Sequence, residues 1–397
     1  MLKSTAAEPR ASAARRPRKV QFFCDYYLAE VHAGVVDYAR TAGWSLYDGK
    51  CYDLENPYTE PGDGMLTIVA RPRLDAWLKT QTCPVVQLLS LIGGERPFPV
   101  VGTDAGAIGT MAAEHFLTLG SPNCVYYRVW HPDGREASWE RFAATLEAAG
   151  RTAHLIDFAV GQTHEELTRS GRQERWNWLA EQLRPLRRPL AVFIMDDRYV
   201  NDLFEVASLL GWSIPEDLAV LGEGDRSLVL GKLPISVSSV DSNLHGVGWE
   251  GAAWLDRILD GEAPPTKPIG VPPGRVVARQ STATFVCEDP AVSAAVNFLR
   301  AHYHESIQVA DVAQVAHLST RSLQSSFKQV VGCTISDELS RLRLAHATRL
   351  LRETDLKLES VAHESGLGSA KYLCEVFRPA FQTTPAAYRE AQREGRG

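Results

Sequence analysis

The sequence predicts an α/β region built on parallel strands, followed by an all-α domain with two helix-turn-helix units. Three observations predict it. Short apolar runs alternate with amphipathic helical stretches from Lys19 to about Phe285, the pattern of parallel strands covered by helices. Towards the C-terminus a short pattern occurs twice. Val312, Ala313 and Leu318 recur as Val361, Ala362 and Leu367 at an offset of 49, while Ser319, Leu323, Phe327 and Thr334 recur as Ser369, Leu373, Phe377 and Thr384 at an offset of 50. Between the copies, apolar residues at helical spacing from Ile335 to Leu351 mark one connecting helix.

Taken in order, residues 1–18 are rich in Ala, Pro and Arg, lack periodicity and are expected to form a disordered basic tail. The α/β region follows over 19–285. Its expected strands are Val20–Phe23, Met65–Val69, Val85–Leu89, Val100-Val101, Cys124–Tyr127, His154–Phe158, Ala191–Ile194 and Leu218–Leu221. Its expected helices are Val31–Ala42, Ala107–Leu119, Ser138–Ala149, Glu174–Leu186 and Val200–Leu210, four of them stopping at a Gly suited to a left-handed cap. Residues 286–397 form the all-α domain. In each repeat a small residue, Ala313 or Ala362, lets two helices cross closely, and Ser319 and Ser369 stand where an N-cap is needed.

Composition bounds the function. At 397 residues, two or three domains are expected. No apolar run reaches the ~18 residues of a membrane span, and Val20–Asp25 is too short for a signal-peptide core, so a cytoplasmic protein is expected. Seven scattered cysteines without a CxxC pair suggest reduced thiols and no zinc site. The net charge of −6 is unevenly spread: residues 1–19 hold 6 basic against 1 acidic residue, residues 20–285 hold 23 against 34, and residues 286–397 hold 13 of each. Pattern rather than charge therefore marks the C-terminal domain as a DNA reader. GxSxG, GxxxxGK[ST] and HExxH are all absent, and His302 and His304 fall on different sides of a helix. An enzyme, a cofactor and a metal are not expected.

The stretch from Leu358 to Arg378, continuing through Thr384, Pro385, Tyr388 and Arg389, closely resembles the AraC-type DNA-binding signature. It departs at Gln382, where Gly is usual, and at Leu367, where Phe is usual. The α/β region resembles the LacI-type, periplasmic-binding-protein-like sensor in Val100–Asp104, Arg141-Phe142, Gly211–Gly222, Val237–Val240 and Pro272–Thr282. This resemblance implies two α/β lobes joined by three crossovers, lobe one about 19–120 plus 241–262 and lobe two about 121–240 plus 263–285. It also implies a monosaccharide effector, a pentose such as xylose, held between the lobes. The headpiece that usually precedes such a sensor is not expected ahead of this one, and a module resembling the AraC type follows instead. A homodimer on a double-stranded DNA operator is implied, and for an activator a contact with RNA polymerase. An alternative is a sugar-binding protein whose C-terminal helices serve assembly. A third reading, a DNA-repair methyltransferase, needs a zinc-held cysteine for which Cys333 and Cys374 have no partners.

Open α/β sheets bind ligands at the carboxyl ends of their strands, so the candidate sugar contacts are taken from those ends. Asp25, Tyr26 and Tyr27 follow the first strand, and Asp104 follows Val100-Val101, where it either meets ligand or caps a helix. Trp139 is either core or a ring platform; the resemblance implies that Arg141 contacts the sugar. One of Asp196 and Asp197 caps a helix and the other meets ligand. At Gly222-Glu223-Gly224-Asp225 the family pattern is Gly-x-Asp, so either Asp225 takes over through a shifted loop or the ligand differs. Asp241 lies near a crossover. On the DNA side, Leu323 and Phe327 face the core, leaving Arg321, Gln324, Ser325 and Lys328 outward. Arg suits guanine and Gln suits adenine. In the second copy Lys371, Tyr372 and Glu375 face out, either reading bases or positioning phosphate. Ser319 and Ser369 would bring capped helix ends to the backbone.

Overall fold

The computed structural model describes residues 16–48, 62–69, 72–89, 97–129, 136–158, 171–285, 287 and 289–394. The chain divides into two compact units, residues 1–283 and 284–397. The first contains β1 (Lys19–Cys24), α1 (Ala29–Ala42), β2 (Ser45–Asp48), β3 (Gly64–Ile68), α2 (Pro72–Leu78), β4 (Val85–Leu88), β5 (Val100–Thr103), α3 (Ala105–Thr118), β6 (Asn123–Arg128) and α4 (Glu136–Ala148). It continues through β7 (Thr152–Asp157), α5 (Arg172–Leu183), β8 (Leu190–Ile194), α6 (Val200–Leu210), β9 (Leu218–Glu223), α7 (Ser227–Leu230), β10 (Ser238–Val240), α8 (Leu244–Leu259), β11 (Ile269–Val271) and β12 (Val276–Val277).

These strands form two six-stranded sheets, in the orders β11-β5-β4-β3-β1-β2 and β12-β10-β9-β8-β6-β7. Every described pairing is parallel except that of β12 with β10. Successive side chains of a strand point to opposite faces, and both faces are covered. Val125 and Tyr127 pack with Leu179 and Leu203 on one side of the second sheet, while Cys124 and Tyr126 pack with Phe116 and Phe142 on the other. That is why β8 reads as an unbroken apolar run, Leu190-Ala-Val-Phe-Ile194, with all five residues buried. The four glycines expected to cap helices, Gly43, Gly120, Gly150 and Gly211, all have φ between 69° and 72°.

The lobe limits differ from those expected. Lobe one was expected to run to about residue 120, yet α3 packs on the second sheet, its Ile108, Ala112 and Phe116 in one core with Tyr126 and Phe193. Gly109 makes this possible: a Cβ there would stand 2.0 Å from the Ser138 carbonyl oxygen of α4. The later return was expected near 262, but β11 lies at the edge of the first sheet, so the chain stays there through Val271. The three crossovers thus follow β5, β10 and β11. They are tied together, Asp104 N–H to the Val271 carbonyl at 2.8 Å, Asp241 N–H to Arg275 at 2.9 Å, and the Asn243 amide to Pro272 at 3.0 Å. Residues 1–15 of the expected tail lie outside the described residues. Arg18 is part of the fold, paired with Asp256 and Asp260.

The second unit contains α9 (Pro290–His302), α10 (Val309–Val315), α11 (Thr320–Val331), α12 (Ile335–Glu353), α13 (Leu358–Glu364), α14 (Ala370–Phe381) and α15 (Pro385–Glu394). Each repeat has its own core, one around Leu323 and Phe327 and the other around Leu373 and Phe377. The connecting helix α12, 19 residues long, spans ~28 Å at ~1.5 Å per residue. Arg343 on α12 donates to the carbonyls of Tyr303 and Glu305 at 2.7 Å each, and Tyr303 Oη meets His346 Nδ1 at 3.0 Å. These bonds hold the end of α9 to the connector. Among the described residues, no helix is long and apolar enough to cross a membrane, and no cluster of His, Cys, Asp and Glu side chains could hold a metal.

Candidate functional site

A cleft of about 620 Å³, counting its open mouth, lies between the carboxyl ends of the two sheets. One wall comes from Tyr26, Leu28, Leu89 and Thr103 of the first lobe, with Ser242 and Leu244 at the crossover. The other comes from Met195, Asp196, Arg198 and Tyr199 after β8, and Glu223, Gly224 and Arg226 after β9. The mixture of carboxylates, guanidinium groups, tyrosines and aliphatic side chains suits a compact polyhydroxylated ligand.

The two aspartates after β8 have separate jobs. Asp196 lines the cleft, and its Oδ2 accepts Arg198 Nε at 2.9 Å and Nη2 at 2.6 Å. Its Oδ1 takes the Arg198 N–H at 2.8 Å, capping the short helical turn Asp197–Tyr199. Burial would raise its carboxyl, but the Arg198 hydrogen bonds and charge hold it below the usual value. Asp197 is 1% exposed and structural. It accepts the Arg226 N–H at 2.8 Å and the Ser239 hydroxyl at 2.9 Å, lying over Gly222, where a Cβ would stand 2.0 Å from Oδ1. Burial pushes its carboxyl up to about 7, partly offset by those two hydrogen bonds. Across the cleft, the Arg198 guanidinium lies 5.2 Å from the centre of the Tyr26 ring, joining the lobes by a cation–π contact.

The other expected sugar contacts lie around this cleft without lining it. Tyr27 is 60% exposed and bonds His32 at 3.1 Å; its neighbour Tyr26 faces the cleft instead. Asp25 follows β1, with its N–H on the Ile68 carbonyl at 3.1 Å. Asp104 caps α3, accepting the Ala107 N–H at 2.9 Å. Asp241 accepts the Asn243 N–H at 2.8 Å, within the crossovers. Trp139 packs on the second-lobe core, 5.9 Å from Tyr126. Arg141 is exposed on α4, its stem beside Gly106. Asp225 turns away to Arg279 at 2.7 Å. Sequence reasoning missed Arg198, Tyr199, Glu223 and Arg226. The strand-end rule reaches all four if followed a few residues further along β8 and β9.

In the second unit the outward residues stand where the repeat puts them. Residues 321–330 and 371–380 have the same sequence of exposed and buried positions. Arg321, Gln324, Ser325 and Lys328 are exposed on α11, and Lys371, Tyr372 and Glu375 on α14, above fully buried Leu323, Phe327, Leu373 and Phe377. Ser319 caps α11 by accepting the Ser322 N–H at 3.2 Å, and Ser369 caps α14 through the Tyr372 N–H at 3.3 Å. The change of offset from 49 to 50 has a structural origin. His317 (φ 54°) and Gly366 (φ 76°) make equivalent left-handed turns, after which the second copy holds one extra residue, Gly368, with φ 78°. Such a backbone suits glycine.

With two repeated recognition helices and a polar cleft in place, comparisons with known proteins fall into line. A periplasmic binding protein-like domain model matches residues 113–282, and a helix-turn-helix domain model matches residues 312–391. The chain thus carries a periplasmic-binding-protein-like domain followed by a helix-turn-helix domain. It is homologous to the xylose operon regulatory protein of Escherichia coli (strain K12), 28% identical over 84% of this chain and 85% of that protein. The xylose operon regulatory protein of Haemophilus influenzae is 26% identical over 74% of this chain and 75% of its own length. A solved xylose-binding transcription activator has a similar fold, with a TM-score of 0.56 and 24% identity over 95% of this chain and 98% of that one. These relatives are regulators rather than enzymes, in agreement with the sequence reading.

Proposed function

We propose that this protein is a cytoplasmic, DNA-binding transcriptional regulator that responds to a small sugar in the cleft between its lobes. The relatives' names point to a pentose such as xylose, or a related sugar, and to activation. The layout carries this reading: a polar cleft at facing strand ends in one unit, and two recognition helices in the other, in an order shared with a regulator over 84% of the chain. Asp196, Glu223 and Arg226 supply acceptors and donors for hydroxyls, and Tyr26 and Tyr199 supply ring faces.

The sugar acts by binding the closed lobes more tightly than the open ones; equal affinity would produce no switch. In a homodimer, closure would alter the arrangement of the two sensors and so of the helices presented to DNA. Arg321 and Gln324 read bases in the major groove, Lys328 and the capped helix ends meet phosphate, and Lys371, Tyr372 and Glu375 engage the next groove. As an activator the bound dimer would contact RNA polymerase. A thermal-shift screen against pentoses, hexoses and their acids and alcohols tests the sensor. A ligand at 100 times its Kd stabilises the native state by ~2.7 kcal/mol, a clear shift, whereas silence across the panel contradicts a sugar sensor.

A further inference from the structure

One side-chain donor in the effector cleft is left unsatisfied by its surroundings. Arg226 Nη1 lies 3.8 Å from Asp196 Oδ1, but Arg226 Nε is buried and has no hydrogen-bond partner among the described residues. The nearby aspartates are committed elsewhere, Asp196 to the Arg198 side chain and Asp197 to Ser239 and the Arg226 backbone. The loop is shaped to seat this guanidinium. Gly224, with φ +121°, lies beneath it, and a Cβ there would stand 3.3 Å from Nε and 3.4 Å from Cγ. Only glycine readily takes that backbone conformation, so the residue that shapes the loop also clears space for the arginine.

A buried charged N–H without an acceptor is costly and is satisfied best by a charged oxygen. The guanidinium offers its N–H groups as a planar fork that matches a carboxylate, with stronger bonds than to a hydroxyl. Glu223, on the same wall, carries a carboxylate suited to accept from ligand hydroxyls. The wall therefore has one end suited to hydroxyl donors and another suited to an anionic acceptor. We propose that Arg226 is the specificity-determining contact of the cleft and takes the carboxylate of a sugar acid in preference to a neutral sugar. This rests on the sugar-sensing reading above and narrows its ligand class.

Calorimetric titration of the full chain with xylose, arabinose, xylonate, arabinonate, glucuronate and galacturonate provides the test. At least one acid is expected to bind ten times more tightly than the neutral sugar of the same stereochemistry. Arg226→Met should remove that preference, and Arg226→Lys, which keeps the charge but loses the fork, should retain part of it. A neutral sugar that binds as tightly as its acid, or an acid preference intact in Arg226→Met, overturns the proposal while leaving the sugar sensor standing. No binding by any of the six overturns both. Far-ultraviolet circular dichroism checks the folding of the variants; if Arg226→Met does not fold, the wild-type ratio and Arg226→Lys decide.

Discussion

Asp197→Asn isolates the protonation of a single buried carboxyl. The Asp197 group sits at about 7 in the folded chain, because burial penalises the carboxylate more than the Ser239 and Arg226 hydrogen bonds stabilise it. Unfolded, the same group titrates near ~3.9. The native state therefore holds the proton more tightly. Its contribution to stability is complete below pH ~3.9 and is lost as pH rises through about 7. Three pH units at ~1.4 kcal/mol each amount to ~4 kcal/mol. Asparagine reproduces the shape of the protonated acid, with an oxygen for the Arg226 N–H and a donor for Ser239, and does not titrate. Urea denaturation at pH 5 and pH 7 should show the wild type losing ~2–3 kcal/mol more than Asp197→Asn. Charges elsewhere titrate in both proteins and cancel. Parallel stability profiles would refute the reasoning, because they would mean that Asp197 is ionised throughout.

Other perturbations separate the remaining roles. Asp196→Ala should weaken sugar binding at least tenfold by titration, since it removes a cleft carboxylate and frees Arg198; a change in stability alone would leave Asp196 with only its capping role. Arg321→Ala should cost ~1–3 kcal/mol in DNA affinity and relax selectivity at one base pair; a uniform loss on all sequences in a binding-site selection would make it a phosphate contact. Gln382→Gly should raise stability to urea by up to ~1 kcal/mol, because Gln382 caps α14 with φ 55°, a conformation that costs an L-residue ~1–2 kcal/mol before glycine's own entropy is counted.

The C-terminal unit was legible almost residue by residue, because helical period alone decides which side chains face its core. Leu323, Phe327, Leu373 and Phe377 fix the outward faces of α11 and α14. The strands β1 and β3–β9 were legible as short apolar runs, β8 as five buried apolar residues, whereas β2, β10, β11 and β12, of two to four residues each, were not expected. Lobe limits were not, because they depend on which sheet a helix covers. The placement of α3 turns on Gly109 meeting the Ser138 carbonyl, a contact between distant parts of the sequence. The cleft was half legible. Strand ends pointed to Asp196, but Asp104 and Asp241 stand at equally good strand ends and are spent on a cap and on the crossovers. Arg226 stands three residues past the end of β9, further along than the strand-end reading went, and its seat depends on the bare backbone of Gly224 beneath it.

Coupling between the cleft and the recognition helices through the same chain underlies the proposed switch. Its most direct measurement is the affinity of the full-length protein for an operator found by binding-site selection, with and without a saturating effector. Coupling of ~1–3 kcal/mol, a change of roughly 5- to 150-fold, is expected, together with an equal change of effector affinity when DNA is bound. Equal DNA affinity with and without a demonstrably bound effector would contradict the account.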